Sequence, residues 1–241
     1  MVNAGIRDSS ILILVGVVHR DPEGYLRLQA LLNLVRPQVI TVEISPWAIS
    51  FRKRHASLLL AELHKNLLQV ADQLPCRAQE LINQGAIAEI KAQIELPFEY
   101  QAALDYGEPL GVPVLPVDVS KYSKIKVAHF RPLISMANLS TLLRLEPYFL
   151  KEKVRQEYSR AAALWKKYGY DTLAGCSLRI RQEWKVREIS MARRIRRALT
   201  FVETMEGGVV LHVGGWMHLM EGRLYSLLNE FNPRRQLLPW A

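Results

Sequence analysis

The stretch Ile11–Asp21, ILILVGVVHRD, constrains this chain more than any other. A short unbroken apolar run, rich in β-branched residues and closed by glycine and polar residues, suits a strand buried on both faces. Strands of that kind belong to parallel sheets covered by helices, and ligands bind at the carboxyl ends of such strands. His19 then stands at that edge, where Asp21, Pro22 and Glu23 open a helix.

The next forty residues keep to the same pattern. Glu23 to Val35 carries leucines on a broad helical face and is closed by Arg36 and Pro37; Gln38 to Ile44, QVITVEI, is a second β-branched strand with Glu43 near its end. Strand, helix and strand joined by short connections make a βαβ unit, hence parallel pairing through a right-handed crossover. The chain then leaves the sheet for a helical insertion at about 46–96. Helices are expected over Ser57 to Leu74 and Cys76 to Glu95, with Gly85 as an interruption, and a further one over Phe98 to Leu110, ended by Gly111.

Val112 to Val119, VPVLPVDV, reads as a strand whose prolines push it towards an edge, with Asp118 near its end. Ser120 to Leu145 reads as loop with a short helix, and Glu146 to Tyr168 as a charged helix stopped by Gly169. Leu178 to Thr204 is a long helix with Ile180, Trp184, Ile189, Met191, Ile195 and Leu199 on its inner side. Val209 to Val213 is a strand, His218 to Phe231 a closing helix, and Gln236 to Trp240 a short final strand. The expected fold class is α/β: a mostly parallel central sheet with flanking helices and an insertion after the second strand.

No Ser/Gly-rich linker divides the 241 residues, and 49% hydrophobic with 23% charged residues is enough to bury one large core. A single domain over 1–241 is therefore expected. The only cysteines, Cys76 and Cys176, make neither a disulfide framework nor a thiolate zinc cluster. No apolar run reaches the length of a membrane span, and MVNAGIRDSS lacks the form of a signal peptide, so a cytoplasmic protein is expected.

The formal charge of +9 raises the question of nucleic acid. The basic residues concentrate in Arg179–Arg197, where a solvated face, with Glu183 placed to pair Arg187 at i,i+4, accounts for them. No helix-turn-helix, RNA-binding or zinc-finger pattern accompanies them, and the apolar face of that helix is needed for the core rather than for a membrane.

The strand ends present His19, Glu43, Asp118 and His218. The first and last strands finish alike, as Gly16-Val-Val-His19 and Gly215-Trp-Met-His218. A lone histidine at such a place is ordinarily a hydrogen-bonded loop or core residue. Glu43, late in an apolar strand, needs partners if buried. Taken together, two histidines and a carboxylate can bind a divalent metal and lower the pKa of its water, or act without metal as general base and acid. Asp118 can orient a histidine from behind, and Gly16 and Gly215 let the backbone turn or pack closely. His55, His64 and His129 are expected on the surface, and His212, inside the last long strand, is expected to be structural.

The order GVVH at 16–19, VITVEI at 39–44, EYQAALDYGEPLGVPVLPVDVS at 99–120, REISMARRI at 187–195 and VVLHVGGWMHL at 209–219 resembles the TraB/Tiki superfamily. That superfamily includes pheromone-shutdown proteins, Tiki proteases and more distant erythromycin-esterase and haem-binding lipoprotein branches; paired GxxH motifs with an intervening Glu and Arg are its signature. The resemblance implies an active site of His19, Glu43 and His218, with Arg187 holding a substrate carboxylate or a developing oxyanion. It implies a hydrolase of amide or ester bonds acting on a peptide or small molecule, with Mn, Co or Zn held by His19, Glu43 and His218. The alternative within the same fold is a non-catalytic binder of metal, haem or a small ligand. Oligomeric state stays open, a homodimer included. Val17 and Val18 stand where the TraB branch carries threonine or small residues.

Overall fold

The computed structural model describes residues 11–72, 84–166, 178–203 and 208–239, with backbone alone at 178–180. Cys76, Cys176 and the first part of the helix expected from Cys76 lie outside the described residues. Strands β1 (Ile11–Val17), β2 (Val39–Val42), β3 (Val114–Pro116), β4 (Val209–Gly215) and β5 (Arg234–Leu237) form one 5-stranded sheet in the order β3-β2-β4-β1-β5. Every pairing is parallel. The fold is the α/β class expected, and the proline-bearing β3 lies at an edge.

Alternation along β1 divides the core. Leu12 and Leu14 join the apolar face of helix α9 (Leu178–Val202), where Met191, Ala192, Ile195 and Leu199 are buried. Val15 and Val17 face the opposite layer of α1 (Gly24–Val35), α4 (Phe98–Leu110) and α8 (Leu150–Trp165). Both faces are covered, which is why the strands are apolar without interruption.

A third core sits off the sheet. Helix α2 (Pro46–Ala71) and α3 (Gly85–Ile94) share it with Val127, Phe130, Ile134 and Leu139. Those last residues come from α5 (Ser120–Ala128), α6 (Phe130–Ile134) and α7 (Met136–Leu142), three short helices where the sequence suggests one. The insertion is therefore completed by a second excursion after β3. Helix α2 also starts earlier than its apolar pattern suggests, because Ser45 caps it by accepting the Ala48 N–H and Pro46 occupies its first turn.

The expected closing helix over His218–Phe231 is instead two 3₁₀ turns, Trp216–Leu219 and Ser226–Phe231. Gly222, at φ 75, breaks the path between them. No helix among the described residues is long and apolar enough to cross a membrane. An apolar groove of about 460 Å³ runs along the free edge of β3, lined by Leu115, Pro116, Ala198 and Phe201. Among the described residues, arginines are the only charged groups lining it, so it offers no acid–base pair. The chemistry gathers at the strand ends.

Candidate active site

The loop after β1 is pinned from below. Asp21, buried, accepts from the Glu23 N–H at 3.0 Å and pairs with Arg27. Tyr158 of α8 donates its hydroxyl proton to Asp21 Oδ2 and accepts the Val18 N–H, each at 3.2 Å. Burial pushes the Tyr158 pKa up to about 12, so it remains a neutral bridge. Arg20 binds Glu89 of α3 at 2.5 Å, and Glu89 also takes Tyr148 and Lys153. Between these anchors His19 is held outward, its side chain 48% exposed.

Behind His19 stands a residue that does not belong to any strand end. Nδ1 lies 2.6 Å from Oε1 of Glu99, in the first turn of α4. A carboxylate can only accept, so Nδ1 carries the proton and Nε2 presents its lone pair. Nε2 lies 3.8 Å from Glu43 Oε2, too far for a direct hydrogen bond. Desolvation would lower the His19 pKa, but the ring is half open, and the bond to Glu99 with the charges of Glu99 and Glu43 holds it above 6.5. Glu99 was detectable in the sequence: residues 99, 102, 103 and 106 make one helical stripe, and the other three are buried and apolar in character.

Glu43 follows β2 directly and is the hub. Its Oε2 accepts the Gly215 N–H at 2.7 Å, and its Oε1 lies 2.6 Å from Arg187 Nη2 and 3.1 Å from His218 Nε2. Burial would raise its pKa, but His218, Arg187 and His19 hold it well below the usual carboxylate range. Arg187 also grips Asp118 through Nε at 2.6 Å and Nη2 at 2.8 Å. Its Nη1 lies 3.1 Å from His218 Nε2. Burial opposes its charge, but Glu43 and Asp118 raise its pKa further, so it stays a cation. Every nitrogen of the guanidinium is engaged, which makes Arg187 a buried brace rather than an open hook for an oxyanion.

His218 lies on the α9 side. Its Nδ1 donates to Glu188 at 2.7 Å, and the Trp184 ring stacks on it at 4.8 Å. Arg223 binds the same Glu188 oxygen and lies over the Trp184 ring. His218 Nε2 faces both Arg187 Nη1 and Glu43 Oε1, each at 3.1 Å. Glu188 falls in the buried series 188, 191, 192, 195 and 199 of α9, a signal available in the sequence but masked by the many charges around it.

The two GxxH segments are not equivalent in space. Gly16 pairs with Gly214 and Val17 with Gly215, so the motifs are offset by one residue in register. An offset of one exchanges the faces of a strand. His19 accordingly meets Glu99 on one side and His218 meets Glu188 on the other, with Glu43 between. Gly214 and Gly215 make this possible by leaving room. A Cβ at Gly215 would stand 2.7 Å from His19 Nε2, and one at Gly214 2.9 Å from Glu43 Oε2. Gly215→Ala is expected to displace the His19 ring and lower any His19-dependent activity by about 100-fold, the scale for misplaced reacting groups; steady-state rates of the folded variant check this. Gly16 is close to Trp165 and the Trp216 backbone instead.

His212 is buried beside Thr41, 3.0 Å from its hydroxyl, and burial lowers its pKa to about 4. It stays neutral and structural. His55, His64 and His129 are exposed.

A divalent ion shared by His19, Glu43 and His218 does not fit this arrangement. The Arg187 guanidinium lies within 2.6 Å of Glu43 Oε1 and 3.1 Å of His218 Nε2, putting a fixed positive charge against the would-be ligands. No group of three or more His, Cys, Asp or Glu among the described residues is arranged to hold a metal.

The raised His19 pKa has a consequence for stability. The His19–Glu99 pairing contributes fully below 6.5, the unfolded value, and is lost as pH rises through the higher folded pKa. Thermal midpoints measured from pH 6 upward are expected to fall across that window in the wild type, and the fall is expected to vanish in His19→Gln. An identical decline in both would remove the pair as its source.

No family model, no curated protein and no solved structure matches this chain.

Proposed function

We propose that this chain is a hydrolase of the TraB/Tiki type, acting in the cytoplasm on an amide or ester bond of a peptide or small molecule, with His19 as general base. The observation that carries this reading is the His19–Glu99 pair: a buried carboxylate 2.6 Å from Nδ1 orients a half-exposed ring whose Nε2 is left for water. Nε2 takes a proton from the water as its oxygen bonds to the substrate carbonyl carbon. Glu99 and Glu43 stabilise the imidazolium. The ring then returns the proton to the departing amine or alcohol as the carbon–heteroatom bond breaks.

Glu43 supports this step as a charge and not as a base, because a carboxylate held ionised by Arg187 has little affinity for a proton. Arg187, His218 and Asp118 keep that charge in place. The likeness to the superfamily is supported by the way its motif residues converge: His19, Glu43, Arg187 and His218 form one connected cluster.

The test is the purified protein assayed on a panel of peptides and esters, with and without a chelator. Turnover that survives the chelator is expected, since neither proton transfer at His19 needs a metal. Turnover abolished by chelation and restored by Mn, Co or Zn would return a metal to the mechanism. Stoichiometric binding of haem or metal with no turnover on any substrate would make the chain a binding protein of the same fold.

A further inference from the structure

Helix α9 buries Met191, Ala192, Ile195 and Leu199 against Leu12, Leu14, Val39 and Val210 of the sheet. Beside that buried stripe, Arg194, Arg197, Ala198 and Phe201 recur at i, i+3, i+4 and i+7 and so share one side of the helix. With Leu115 and Pro116 of β3 they line the apolar groove of about 460 Å³ at the edge of the sheet. The groove is graded. Arg194 Nη1 donates to the Asp118 carbonyl at 2.7 Å, which places the arginines at the carboxyl end of β3. Ala198 and Phe201 follow one and two turns further along α9.

The backbone of this edge has one opening. Ile40 N–H donates to the Pro113 carbonyl at 2.9 Å and Val117 N–H to the Val42 carbonyl at 3.0 Å, so the bonding groups at 113, 115 and 117 face β2. Val114 and Pro116, in between, turn theirs outward. Val114 offers an N–H and a carbonyl there and Pro116 a carbonyl only, because proline has no N–H. A long flat edge pairs with any strand; one punctuated by Pro113 and Pro116 admits a short segment and blocks a growing sheet. Charge sets what such a segment carries. Arg197 is exposed, and neither it nor Arg194 has an ion pair among the described residues. Leu115 and Phe201 are 38% and 55% exposed, so the apolar wall is open to contact. A second copy of the chain is a poor occupant: it too carries +9, and a two-fold contact sets Arg194 and Arg197 against their own counterparts.

We propose that the edge of β3 and the groove beside it are a docking site for an extended, acidic peptide segment of another protein. The segment adds to the sheet through Val114, sets apolar side chains against Leu115, Ala198 and Phe201, and pairs acidic side chains with Arg197 and Arg194. In a strand bonded to Val114, the residues on either side of the paired one point to the α9 face, as Leu115 does. The recognised pattern is therefore two apolar residues separated by one, with acids beside them. None of the residues lining the groove belongs to the His19–Glu43–His218 cluster, and the site gives two of the α9 arginines a task beyond solvation.

The test titrates the purified full chain into a fluorescein-labelled synthetic peptide, a leucine-valine-leucine core flanked on both sides by glutamates, and follows fluorescence anisotropy. Saturable binding is expected, weak as suits a small interface and weaker still as salt is raised. Arg197→Glu is expected to reduce that affinity about tenfold and to favour the same core flanked by lysines. Because Arg197 is exposed, this variant should keep the wild-type melting temperature; Phe201→Ser should weaken binding of both peptides. In amide-exchange NMR the Val114 N–H should become protected on binding, while that of Leu115, already bonded to β2, should change little. No saturable binding of the glutamate-flanked peptide, equal affinity of the wild type for the two peptides, or an unprotected Val114 N–H in the saturated complex overturns the proposal. So does a concentration-dependent dimer of the chain alone that Arg197→Glu dissolves, since the groove would then belong to a second copy.

Discussion

Arg187→Met is expected to destabilise this protein by about 3–5 kcal/mol, the cost of breaking a buried ion pair from one side. The side chain is 8% exposed and sits between Glu43 and Asp118, whose own side chains are 4% and 8% exposed. Removing the guanidinium leaves two carboxylates facing each other in a site with little water. For a chain of this length the midpoint of thermal unfolding should fall by roughly 6–20 °C. Arg187→Lys should recover only part of the loss, since an ammonium cannot reproduce the two-pronged grip on Asp118. Adding Asp118→Asn to Arg187→Met should restore stability relative to the single variant, because one buried charge is removed with its partner. A midpoint within experimental error of the wild type in Arg187→Met would show that the cluster is not an electrostatic centre of the fold.

The second large effect concerns rate. His19→Ala is expected to lower hydrolysis by about 10²–10⁴-fold, the usual contribution of a positioned general base. Glu99→Gln should retain part of the orientation, since an amide oxygen can still accept from Nδ1, but it loses the charge that raises the His19 pKa. The acid limb of the pH–rate profile should therefore move to lower pH in Glu99→Gln, while the plateau rate falls. The sign follows from the base form of His19 being the active one: rates rise as pH passes through its raised pKa, and removing Glu99 brings that pKa down. A profile unmoved by Glu99→Gln would show that His19 is not the titrating base, whatever the loss in rate.

Much of the architecture could be read without coordinates because local patterning is decisive where strands are buried on both faces. ILILVGV, VITV and the run beginning at Val209 can satisfy their apolar side chains only between two helical layers, so the parallel α/β class followed. Elsewhere local pattern and local chemistry disagree, and the pattern misleads. Ser226–Phe231 has apolar spacing suited to an α-helix, but Gly222 at positive φ and the short path back to β5 restrict it to a 3₁₀ turn. The helices between Ser120 and Leu142 owe their burial to α2 and α3, distant in the chain, and so lacked a strong pattern of their own.

By itself, the sequence determined which chemical groups reach the carboxyl edge: His19, Glu43, Asp118 and His218 each follow a strand, and strand direction settles that much. Only the tertiary structure decided what each group faces. The register of β1 against β4, offset by one residue between the two GxxH segments, sent His19 towards Glu99 and His218 towards Glu188. The packing of α9 across the sheet put Arg187 between Glu43 and Asp118. Register and helix packing are fixed by contacts between segments far apart in the chain, and periodicity within one segment carries no record of them.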